Sequence, residues 1–251
     1  EISNTGRDVW LIEITGGPGQ DCDSCIDYSY FNLTDIFVPA LLNGVLDFTG
    51  KDKMQYVGFS NGCRAALDSL ERNQFDSNKV ETFVAVGCPG SFEGNSTLGN
   101  VVFSRNGEIS KKLESLGRNH YSFGTVAIAA LFNRNYIPKG GSSKISLNLW
   151  KFYENIINSS SDTQPGNIQI PNFVIIQGSE LTTEDGIITV KDEQKIYHNV
   201  NNTNSKKHFD VFALHSSLDE RDRTKSIIKK SLNKQELSFY ESTINLINQS
   251  D

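Results

Sequence analysis

The 251-residue sequence predicts an α/β fold, a mostly parallel sheet with helices on both faces and a helical insertion. Three observations carry this expectation. Short, continuous apolar runs recur along the chain, as a sheet covered on both faces requires. Segments of helical period alternate with those runs. One interval of about 80 residues breaks the rhythm and is too long for an ordinary connection, so it must hold structure of its own.

The apolar runs read as five buried strands: Val9 to Ile14, Gln55 to Phe59, Thr82 to Gly87, Phe173 to Gln177 and Phe209 to Leu214. Between them, Leu33 to Phe48 sets Ile36, Phe37, Ala40, Leu41, Gly44, Val45 and Phe48 on one helical stripe. Cys63 to Arg72, Asp192 to Tyr197 and Arg223 to Leu232 supply further helices. The long interval carries helical stretches at Ser110 to Leu116, Ser122 to Arg134 and Lys144 to Asn158, punctuated by Pro138-Lys139-Gly140-Gly141. The expected division is therefore a core of residues 1–90 and 172–251 with a helical cap at 91–171. There is no internal repeat.

Composition narrows the function. A formal net charge of -6 gives no electrostatic footprint for phosphate backbones and argues against nucleic acid as a partner. The longest apolar stretches, such as Thr125 to Phe132, fall short of the roughly 20 residues that cross a bilayer. Of four cysteines, Cys22 and Cys25 form a C-x-x-C in a Gly/Asp-rich loop. With no second such pair and no nearby histidine, a local disulfide or two idle thiols is a better reading than a zinc site. Cys63 and Cys88 are expected side by side, one opening a helix and the other ending the neighbouring strand. Sequons at Asn32, Asn95, Asn158, Asn201 and Asn248 are about what chance gives in a chain so rich in Asn, Ser and Thr. They point only faintly to a secreted or cell-surface protein.

The chemistry centres on Gly58-Phe59-Ser60-Asn61-Gly62, a match to G-x-S-x-G. Such a pentapeptide can be simply a turn. Here the strand Tyr56-Val57 runs straight in and a helix with small residues at its start runs out. That is the context of a nucleophile elbow, which holds a serine hydroxyl exposed on a sharp turn. A serine hydroxyl is a poor nucleophile near neutral pH and needs a histidine base held by a carboxylate. His215 follows a strand and so stands at its carboxyl end, where sites of open α/β sheets gather. His208 lies before that strand and His120 in the cap. Asp185 sits in the loop after the fourth strand, with Glu180 and Glu184 as lesser candidates and a plain Asp-Gly turn as the bland alternative. Ser60, Asp185 and His215 fall in the chain order of such a triad.

Asp8-Val9-Trp10-Leu11, Phe37-Val38-Pro39-Ala40, Phe48-Thr49-Gly50 and Tyr56 to Gly62 together resemble the acid-lipase and esterase branch of the α/β-hydrolases. Glu184-Asp185-Gly186-Ile187-Ile188 resembles the acid loop of that branch and His215-Ser216 its histidine loop. Phe59 stands where the branch usually has His, and Cys63 where it often has Gly. The resemblance implies a serine esterase or lipase without metal or organic cofactor, acting on a small-molecule or lipid ester. It implies an oxyanion hole from the backbone N–H of Asn61 and a second donor from a loop preceding the strand at Trp10. That loop is missing from its usual place, and Gly16-Gly17, with Gly17 as the N–H donor, is the substitute at hand. A separate N-terminal segment carrying earlier strands is therefore expected to complete the sheet. Two other functions stay open: a non-catalytic binding or surface module on the same scaffold, and acyl transfer to an alcohol.

Overall fold

A computed structural model describes residues 2–3, 6–12, 30–90, 168–179, 185–186, 188–201 and 204–233, with the backbone of 120–122 and 144–146. Four parallel strands form the sheet: β1 (Met54–Phe59), β2 (Val80–Val86), β5 (Asn172–Gly178) and β6 (Ser205–Val211), side by side in that order. The sequence reason is plain in the two middle strands. β2 is buried from Thr82 onward and β5 from Phe173 onward, so neither has a polar face.

Period-two alternation divides these strands between two cores. Phe83, Ala85, Phe173 and Ile175 point to one face, where they meet Leu33, Leu42, Leu46, Leu67 and Leu70. Those five residues come from α1 (Tyr30–Thr49) and α2 (Asn61–Glu71). Val84, Val86, Val174 and Ile176 point to the other, against Ile227, Ile228 and Leu232 of α4 (Asp222–Leu232). The remaining helix, α3 (Val190–Asn199), starts at Thr189, whose Oγ1 accepts from the Asp192 N–H.

α1 is apolar on more than one face, and its stripe is not the expected one. The buried residues include Leu33, Val38, Leu42 and Leu46, whereas Ile36 and Phe48 are exposed. Pro39 has no N–H to give the carbonyl four residues back, and the turn before it widens to a π-helix at Leu33–Phe37. Among the described residues this is the one helix long and apolar enough to cross a membrane, a length the sequence reading did not assign. Here its buried face packs into the sheet's core.

Two expectations need correction. Val9 to Ile12 is no strand: it has no ladder partner among the described residues, and Leu11 is 97 % exposed. An apolar run becomes a strand only against an edge that takes its N–H and C=O groups. Trp10 instead sets its ring edge-on to Phe48 of α1 at 5.0 Å, and the preceding Arg7 donates from Nε to Gln55 Oε1 of β1. The stretch expected as a helical cap is not wholly helical either. Lys144–Ser146, expected in a helix, forms β4, antiparallel to β3 (His120–Ser122). Short runs holding Tyr and Ile suit a ladder as readily as a helix. The last core strand also lies earlier than expected, ending at Val211 and leaving Phe212 to Leu214 as the approach to His215. Cys22, Cys25, Gly17 and the rest of the expected cap lie outside the described residues.

Candidate active site

All four strands of the sheet run the same way, so the segments after β1, β5 and β6 emerge at one edge. Ser60 follows β1 directly. Its backbone is in an uncommon conformation (φ 50°, ψ −123°), which lifts the side chain off the strand before α2 begins. The Ser60 N–H donates to Val86 O of β2, and its carbonyl accepts from Cys63 and Arg64 of α2. Gly58 is required by space, since a Cβ there would lie 2.6 Å from the Cα of Cys63. Gly62, the second glycine of the motif, has open space around its Cβ position and is not required in that way. The Tyr56 hydroxyl donates to Gly62 O at 2.8 Å, and burial pushes its pKa up to about 12.

The acid loop is a closed turn. Asp185 Oδ1 accepts from the Ile188 N–H at 2.6 Å, the Asp185 N–H donates to Ile188 O, and Gly186 supplies the positive φ of 95°. Asp185 O in turn accepts from the His215 N–H at 2.8 Å, tying the acid loop to the histidine loop through the backbone. A Cβ on Gly178, the last residue of β5, would fall 2.6 Å from Asp185 Cβ and from Ala213 O, so these two loops pack over a glycine.

The three expected residues meet. His215 Nε2 lies 2.8 Å from Ser60 Oγ, and His215 Nδ1 lies 2.6 Å from Asp185 Oδ2. Asp185 is 1 % and His215 4 % exposed, so water barely competes for the carboxylate–imidazole contact. The Phe59 ring packs against the imidazole at 5.1 Å, and Gly87, at a positive φ of 53°, lies under it, where a Cβ would stand a tight 3.1 Å from the ring. Asn61, the expected oxyanion donor, opens α2, where helix geometry leaves the N–H groups without intrahelical partners. Its side-chain Oδ1 is buried without a hydrogen-bond partner. Cys63 and Cys88 are bonded, with Cα atoms 5.6 Å apart, fixing the start of α2 to the segment after β2.

Sequence reasoning passed over a set of buried charges beside this site. Arg64 is 1 % exposed, and its Nε donates to both carboxylate oxygens of Asp68, which also accepts from the Tyr30 hydroxyl. Asp192 and Glu193, on the first turn of α3, are almost fully buried. Burial, followed by the nearby charge of Asp185, drives the Glu193 carboxyl well above the ordinary range, while the Cys88 N–H opposes the shift. Acidic residues at a helix start usually face water, and nothing in this stretch of sequence marks them as internal. His208, set aside as the base, pairs with Gln177 Oε1 at 2.6 Å, and burial lowers its pKa.

No protein-family model and no curated protein matches the chain. Solved structures do. A structure from work on LipS and LipT, two metagenome-derived lipolytic enzymes, is similar with a TM-score of 0.55 at 13% identity, over 88% of this chain and 78% of that one. A meta-cleavage product hydrolase, CumD, gives 0.52 at 16% identity over 85% and 75%. An esterase from Exiguobacterium antarcticum gives 0.50 at 14% identity over 87% and 79%. The chain has the α/β-hydrolase fold.

Proposed function

We propose that this α/β-hydrolase fold carries a serine hydrolase that cleaves carboxylic esters through an acyl-enzyme. One observation carries the reading: an unbroken relay from Ser60 Oγ through both ring nitrogens of His215 to Asp185. In that reaction Ser60 Oγ attacks the ester carbonyl as its proton passes to His215 Nε2. Asp185 holds Nδ1–H and balances the imidazolium charge. The carbonyl oxygen gathers negative charge near the N–H of Asn61, at the positive end of α2. Collapse releases the alcohol, which takes the proton from His215. Water then repeats the sequence on the acyl-serine and frees the acid. No metal is called for.

The apolar Phe59 ring beside His215, 37 % exposed, suits a substrate with a hydrocarbon portion, a small ester or a lipid. The buried Cys63–Cys88 bond suits folding in an oxidising compartment, as in a secreted or cell-surface protein. A fluorophosphonate probe with peptide mapping, alongside a series of p-nitrophenyl esters of rising chain length, tests the proposal. Covalent label on Ser60 and hydrolysis abolished in Ser60→Ala are expected. A chain that takes no label and turns over no ester is a binding module instead.

A further inference from the structure

One peptide unit, between Pro89 and Gly90, is gripped from both sides. Its carbonyl accepts from Arg64 Nη1 at 3.2 Å, and its N–H donates to Asp192 Oδ2 at 2.7 Å. Arg64 is on the helix that follows the nucleophile, and Asp192 is four residues beyond Ile188, whose N–H holds the Asp185 carboxylate. The same short segment touches the other parts of the relay: Gly87 lies under the His215 ring and Cys88 is bonded to Cys63. The fit at the grip is close. A Cβ on Gly90 would stand 2.4 Å from Asp192 O and 2.8 Å from Asp192 Oδ1.

Asp192 occupies the third position of its helix, where an acidic side chain commonly reaches back to the N-cap N–H. Here an oxygen crosses to a residue 102 positions away in sequence, and the group is 2 % exposed. We propose that Asp192 is a positioning residue for the relay: by holding the Pro89–Gly90 peptide opposite Arg64 it sets the distance between the nucleophile's helix and the acid loop. This rests on the reading of Ser60, His215 and Asp185 as the reacting groups. Asp192 acts through the 87–90 segment, by its hydrogen bond to the Gly90 N–H.

The test compares Asp192→Asn and Asp192→Ala with the parent chain in three measurements. These are kcat and KM on a soluble p-nitrophenyl ester, the low-field NMR resonance of the His215 Nδ1 proton, and thermal stability. A displacement near 1 Å costs on the order of 100-fold in rate, so Asp192→Ala is expected to lose kcat by about that factor with KM little changed and the resonance weakened or moved. Asp192→Asn keeps an acceptor for the Gly90 N–H but loses the charge facing Arg64, and a drop of roughly 3–10-fold is expected. A folded Asp192→Ala with parental kcat and parental resonance makes the residue a helix cap and nothing more, which overturns the proposal. If that variant does not fold, unchanged kcat and resonance in Asp192→Asn overturn it equally. A parent chain that takes no phosphonate label fails the catalytic reading alone, because the resonance still reports whether Asp192 holds His215 against Asp185.

Discussion

Ser60, the proposed nucleophile, and its two partners are held in different ways. Ser60 is fixed by its own stretch of chain: a strand into it, a helix out of it, Gly58 beneath it and a covalent bond three residues beyond. Asp185 and His215 fix each other, by side chain and by backbone, across 30 residues of sequence. Local, covalent restraint tolerates the loss of one weak contact. Mutual restraint does not, since removing either partner frees the other, and effects of residues that act as a unit are strongly non-additive.

The largest test of that difference is Asp185→Asn. Without the carboxylate the His215 ring loses its tautomer, and kcat is expected to fall on the order of 10⁴-fold. Combining it with His215→Ala should add little, and a double variant whose loss equals the product of the single losses would show two independent residues. Next in size, Cys63→Ser with Cys88→Ser removes a cross-link closing a loop of 25 residues and is expected to cost about 2–4 kcal/mol of stability. Because the elbow keeps its backbone hydrogen bonds, kcat measured well below the melting temperature should stay within about threefold. A much larger loss would mean that the covalent bond, and not the local chain, aims Ser60.

Gly58→Ala forces a Cβ onto the backbone of α2 and is expected to cost about 1–3 kcal/mol together with activity. Gly62→Ala, in open space inside a helix, is expected to stabilise by about 0.5–1 kcal/mol at unchanged kcat. Equal outcomes for the two would refute the steric account of the elbow. The smallest effect concerns Glu193. Its carboxyl keeps its proton in the folded state to higher pH than in the unfolded chain, so the folded state binds the extra proton and stability falls as pH rises through that window. Gln at this position does not titrate. As the pH is raised above the ordinary carboxylate range, the melting temperature of Glu193→Gln is expected to gain on that of the parent. Parallel curves would show a Glu193 that titrates as an ordinary carboxylate.

Legibility in the sequence followed the same division. Ser60 could be found from its neighbours because the elbow is a local motif, and Asp185 and His215 from strand ends and chain order. The Arg64–Asp68–Tyr30 cluster and the grip on Pro89–Gly90 left no such mark: Arg64 and Asp68 read as an ordinary i,i+4 surface pair, and Tyr30, Pro89, Gly90 and Asp192 reach them from remote parts of the sequence. Val9 to Ile12 failed for a related reason: apolar composition records a preference for burial but not whether an edge is there to receive it. In α1 both faces are apolar, and composition alone could not choose between them.

Cys63 and Cys88 both lie within residues 54–88, which hold β1, α2 and β2, so their bond can close before residues 168–233 leave the ribosome. The Ser60 half of the site can thus be covalently finished while Asp185 and His215 are still unmade. β2 then waits, with Phe83, Val84, Ala85 and Val86 along an unpaired edge, until β5 arrives from across the insertion. Such an apolar edge invites pairing with another chain during synthesis. A slower passage through the insertion therefore lengthens the interval in which aggregation competes with folding.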